Sequence, residues 1–116
     1  MTSERPPVDL AHLSRYTGGD ATLNAEVLRL FSGQSGELVG KLKDQLEAGD
    51  AKSWRETAHS LKGAARGIGA FELADFAAAV EPIDPKSDKP RAHAALHELS
   101  NSAQMVQWFI DEYLGG

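Results

Sequence analysis

Near its C-terminus the chain places apolar residues at alternating spacings of four and three for six consecutive steps. The series runs Ala92, Leu96, Leu99, Ala103, Val106, Ile110 and Tyr113. That rhythm traces one face of an α-helix. A helix with so long an apolar seam is stable only when other helices cover it. The chain must therefore supply partners, and the rest of the sequence does so between clear stops.

Asp9 to Tyr16 forms a short helix with Leu10 and Leu13 inward, ended by Gly18-Gly19. Asp20 is an N-cap for a long helix to about Ala48, whose expected seam is Leu23, Val27, Leu30/Phe31, Leu38, Leu42 and Leu46. Gly33, Gly36 and Gly40 project from the opposite face, where they are either drift on a solvated surface or a flat place for the first helix or a partner. Gly49 stops this helix and Asp50 caps the next, which carries Trp54, Ala58, Leu61, Ala65 and Ile68 on one stripe; Gly67 and Gly69 weaken its end. A further helix spans about Ala70 to Glu81 with a seam of small residues, Ala70, Leu73, Ala77 and Val80, suited to tight packing. Pro82-Ile83-Asp84-Pro85 then breaks the pattern. Asp88 is the expected cap of the last helix, with Pro90 tolerated in its first turn. The fold class that follows is all-α: an antiparallel up-down-up-down four-helix bundle with a short extra N-terminal helix. Residues 1–7 are expected to be a flexible N-terminus and 8–116 the bundle.

Composition narrows the function. The 116 residues make one domain, without cysteines for disulfides or thiolate metal sites, and carry a net charge of −5. The acidic balance and the absence of a basic tract argue against nucleic acid. The longest apolar run, Phe76 to Val80, is far too short to span a membrane, and Met1 to Pro7 lacks the apolar core of a signal peptide. A cytoplasmic monomer is the expectation. There is no Gly-rich phosphate loop, kinase-type lysine motif or GxSxG elbow, so the chain should not use ATP itself.

One polar residue stands out. His59 projects roughly 140° from the centre of its helix's apolar stripe, so it faces solvent. Arg55 lies one turn back on that face, Lys62 and Gly63 one turn on, and Arg66 two turns on. Gly63 costs about 1 kcal/mol of helix propensity relative to alanine, yet it leaves the imidazole uncovered for a close approach. An open nucleophilic nitrogen, a nearby ammonium and room for a second protein are what a phosphorylatable histidine needs. His93 and His97, four apart, have metal-ligand spacing but lack a third ligand in the sequence and read as a helix-surface pair. His12 has nothing around it.

The segment His59-Ser60-Leu61-Lys62-Gly63-Ala64-Ala65-Arg66-Gly67-Ile68-Gly69 resembles the signature of histidine-containing phosphotransfer (HPt) domains, H-x-[LI]-K-G followed by two small residues and then an aliphatic residue and glycine. The similarity extends to Leu30-Phe31, the Gly49-Asp50 turn and the helix from Leu73 to Glu81. The resemblance implies a stand-alone module with the same bundle architecture. It implies that His59 takes a phosphoryl group from the aspartate of a receiver domain, usually on a hybrid sensor kinase, and passes it to the receiver of a response regulator in a two-component phosphorelay. Under that resemblance Lys62 offsets phosphoryl charge, with Arg66 and Arg55 as secondary candidates. Gly63 gives the receiver access, and Glu81 matches an acidic position that orients His59 or pairs with Lys62. The chain would have no cofactor of its own, and the Mg2+ would sit on the partner receiver. Two other functions fit the same residues: a kinase-fed phosphoacceptor module like the first domain of chemotaxis-type kinases, and a receiver-binding scaffold that is never phosphorylated.

Overall fold

Aspartate caps set where the first three helices begin. In the computed structural model, which describes residues 5–115, α1 spans Leu10–Thr17, α2 Ala21–Ala48 and α3 Ala51–Ile68. The side chains of Asp9, Asp20 and Asp50 accept from the backbone N–H groups of His12, Leu23 and Ser53 at 3.0–3.1 Å, each worth about 1 kcal/mol. Gly18, Gly49 and Gly69 close the same helices in the left-handed conformation. α4 spans Phe71–Val80 and α5 Lys89–Tyr113. Asp88 occupies the N-cap position of α5, but its side chain makes no capping bond; its carboxylate lies 3.8 Å from Arg91 instead. Of the stretch expected to be flexible, residues 1–4 lie outside the described residues.

The helices α2, α3, α4 and α5 close a four-membered ring in which each packs on its two neighbours, and α1 lies against α2 and α3. Three contacts run α2 against α5 in opposite directions: Asn24 with Tyr113, Ser32 with Gln107, and Glu47 with Lys89. The core draws on every helix, with Trp54, Leu42, Leu61, Leu73, Leu99 and Ile110 fully enclosed. The seam of α5 falls as expected, except that Ser102 is more buried than Ala103.

Along α2 the expected seam holds at Phe31, Leu42 and Leu46, with Val27 and Leu38 half-buried against the core, and fails at Leu23 and Leu30. Leu23 is 41% and Leu30 75% exposed, while Asn24, Leu28, Phe31, Ser35 and Val39 face inward. The reason is polar. Asn24 is held by Thr17 of α1 and donates to the Tyr113 hydroxyl, 3.4 Å away, so a buried hydrogen-bonded junction occupies the face that leucines alone appeared to define. The glycines Gly33, Gly36 and Gly40 do lie on the outer surface, but α1 does not pack on them: a Cβ at any of the three would meet nothing within 4 Å. Gly67 likewise has open space around it and α3 continues past it to Ile68. Gly69 is the constrained glycine, with φ +86° and the Asp9 carbonyl oxygen only 2.7 Å from where a Cβ would stand. That closeness lets the Asp9 N–H donate to the Gly69 carbonyl at 2.9 Å, tying the start of α1 to the α3–α4 turn. No helix among the described residues is long and apolar enough to cross a membrane.

Candidate phosphoacceptor site

His59 sits midway along α3 with its side chain 69% exposed. The fully buried Trp54, Ala58, Leu61 and Ala65 hold the other face of the helix in the core, so the direction of His59 is fixed by packing rather than by its own contacts. The Cβ position of Gly63 opens onto empty space. Among the described residues nothing lies within 4 Å of that position, one turn on from the imidazole.

The connection after α4 brings the third group. Glu81 is the C-cap residue of α4 and keeps helical dihedrals. Val80 before it is fully buried, and Ile83 and Pro85 after it tuck into the core, so the Pro82–Pro85 break is an anchored strap. The indole N–H of Trp54 donates to the Val80 carbonyl at 2.8 Å. That bond crosses from α3 to α4 one residue before Glu81. A buried indole needs an acceptor, so the sequence demanded a partner for Trp54, but only the tertiary fold selects Val80.

Anchored this way, the Glu81 carboxylate spans two side chains of α3. One oxygen accepts from Lys62 Nζ at 2.8 Å and the other lies 3.3 Å from His59 Nδ1. Lys62 and Glu81 are 19% and 22% exposed, so the pair is largely shielded. Lys62, above all, and then His59 hold the Glu81 carboxyl below its ordinary range, against the partial burial that pushes it up. An ionised carboxylate can only accept. A hydrogen bond to it therefore puts the imidazole proton on Nδ1 and leaves the Nε2 lone pair free.

The remaining sequence candidates divide. Arg55 and Arg66 are exposed and make no ion pair among the described residues. His93 and His97 line a shallow groove of about 300 Å³ between α2 and α5 with Lys43, Glu47, Leu96 and Ser100. Among the described residues no three His, Cys, Asp or Glu side chains are grouped to hold a metal ion. His12, expected to be isolated, is not: it meets Tyr16 and Phe71 edge-on, with ring centroids 5.3 and 5.0 Å away, and so joins α1 to the start of α4.

Residues 26–107 match the model of the Hpt domain family. The structure resembles the crystal structure of histidine-containing phosphotransfer protein B (HptB) from Pseudomonas aeruginosa PAO1, with a TM-score of 0.82 and 27% identity. That match covers 92% of this chain and 93% of the other. No curated protein matches the chain.

Proposed function

The chain belongs to the Hpt domain family, which carries out histidine phosphotransfer in two-component signalling, and from that premise we propose that it relays a phosphoryl group between two receiver domains through His59. The donor is a phospho-aspartate on the receiver of a hybrid sensor kinase and the acceptor is the aspartate of a response regulator. The observation that carries this reading is the Glu81 carboxylate held between His59 Nδ1 and Lys62, beside an otherwise open ring.

In the forward step the Nε2 lone pair attacks phosphorus in line, the N–P bond forms, and the bond from phosphorus to the aspartyl oxygen breaks. The electron pair leaves with the aspartate as carboxylate. The ring keeps its Nδ1 proton, so the phosphorylated imidazole is cationic, and Glu81 supplies the countercharge. In the second step an aspartate oxygen of the next receiver attacks phosphorus and the electron pair returns to Nε2. A protonated ring is the better leaving group, so the same Glu81 contact serves both directions. Lys62 is positioned to share its ammonium between Glu81 and the phosphoryl oxygens, adding electrostatic stabilisation. Gly63 admits the receiver. A Mg2+ neutralising the phosphoryl group would be held by the receiver's own acidic pocket.

The test is direct. Wild-type protein incubated with phosphorylated receivers of the source genome should acquire an acid-labile, base-stable label, as a phosphoramidate does. His59→Gln should acquire none while its helical circular dichroism is unchanged. Normal labelling of that variant, or a label on wild type that survives acid, would overturn the assignment.

A further inference from the structure

The charge of this chain is segregated. α3 carries Lys52, Arg55, Lys62 and Arg66 against a single acid, Glu56, a net of +3, whereas the whole chain is −5 and the remainder is therefore −8. α2, α4 and α5 each have more acids than bases. Lys62 is engaged by Glu81, which leaves three exposed cations on α3 with no ion pair among the described residues. By helix geometry Lys52, Arg55 and Arg66 all project within roughly 40° of His59, at about 10 Å before it, 6 Å before it and 10 Å beyond it. They form a basic ridge along α3 with the imidazole in its middle.

We infer that this ridge, and Arg55 and Arg66 in particular, orients the receiver by contact with an acidic rim around the receiver's phosphorylation site. The inference rests on the phosphotransfer reading above and adds the chemistry of the partner. The rest of this chain, at −8, repels an acidic surface, so a local positive strip makes the approach of such a rim to His59 productive and other approaches not. Two guanidinium groups flanking His59 lengthwise also constrain rotation about the axis of approach, which one cation cannot do. Side chains this exposed are well screened by salt, so their effect belongs to the encounter rate and fades with ionic strength. Arg55 and Arg66 are thus docking residues, while Lys62, shielded and hydrogen-bonded, acts on the transferring group.

The experiment compares wild type with Arg55→Gln/Arg66→Gln. The donors are the receiver that transfers fastest to wild type and phosphoramidate, a small donor that needs no docking. In low salt the variant's second-order rate with the receiver should fall by about 10- to 100-fold, within the range of electrostatic steering. The deficit should shrink at high salt, and Arg55→Lys/Arg66→Lys should restore most of the rate. Labelling of His59 by phosphoramidate should stay within about twofold of wild type, the control expected where docking plays no part. An unchanged receiver rate in low salt overturns the inference and leaves the relay function standing. An equal loss with phosphoramidate also overturns it, because the arginines would then act on the phosphoryl group. Failure of wild type to label with either donor removes the phosphotransfer reading itself, and this inference with it.

Discussion

The smallest unit that explains the site is one carboxylate. Glu81 uses its two oxygens for different tasks, orienting His59 through Nδ1 and restraining Lys62. Its carboxyl titrates below the ordinary value of 4.5 because Lys62, and secondarily His59, favour the ionised form. A carboxyl lowered in the folded state stabilises the fold while ionised. This contribution is complete above about pH 4.5 and is lost as pH falls through the lowered value. Glu81→Gln should therefore lower the melting temperature at neutral pH, and the difference from wild type should vanish in acid well below that range. The same variant should slow phosphotransfer by roughly 10- to 100-fold, the equivalent of losing one charged hydrogen bond of about 1.5–3 kcal/mol. A melting-temperature gap that persists unchanged into acid would show that the ionised carboxylate is not what stabilises this corner.

At the scale of a helix, α3 and its C-cap carry glycines with opposite meanings. Gly63 has ordinary helical dihedrals and nothing near its Cβ position, so Gly63→Ala should stabilise by about 0.5–1 kcal/mol. Gly63→Gln should be neutral or mildly stabilising, yet it should block transfer from a receiver by covering the imidazole. Phosphoramidate should label that variant much more nearly as it labels wild type. A variant that is both stabilised and an unimpaired relay would strip the glycine of any docking role. Gly69 is different because the chain itself approaches it. With φ +86° and the Asp9 carbonyl oxygen in the place of a Cβ, Gly69→Ala should cost about 1–3 kcal/mol and detach α1 from the α3–α4 turn. Denaturant titration reads the first effect, and loss of amide protection at Asp9 reads the second.

For the whole molecule, the decisive link is the one between α3 and α4. The His59 side comes from one helix and Glu81 from the end of the next, and the two meet only if α4 stays in register with α3. The Trp54 hydrogen bond to Val80 maintains that register beneath the site, with the buried Ile83 and Pro85 closing the other side of Glu81. Trp54→Phe removes one of two donors to the Val80 carbonyl, which keeps the Ile83 N–H at 3.1 Å, so the lost hydrogen bond costs about 0.5–1.5 kcal/mol, with packing loss added. Because Glu81 is adjacent, transfer should slow as well, although Trp54 touches no reacting group. The check is to measure both in one preparation: a destabilised Trp54→Phe that transfers at the full rate would mean that Glu81 is placed by its loop alone.

What the sequence determined by itself was whatever depends on local chemistry. Caps, stops and apolar rhythm located five helices to within a residue or so at most ends, because Asp20, Asp50, Gly49 and Gly69 act on the backbone beside them. The outward face of His59 was legible for the same reason: a strong stripe through Trp54, Leu61 and Ile68 leaves only one side for solvent. The seam of α2 was not legible, since Leu23 and Leu30 are as apolar as Leu28. The buried face includes two polar positions, Asn24 and Ser35, that an apolar pattern passes over, and Asn24 is paired there with Thr17 and Tyr113, residues from two other helices. The isolation expected of His12 failed likewise, because Phe71 reaches it from α4. The resemblance singled out Glu81 for His59 or Lys62, and the tertiary structure decided that it holds both. Twenty-two and nineteen residues separate those pairs in sequence, and a hydrogen bond over such distances depends on how two helices slide past each other, a quantity no local pattern encodes.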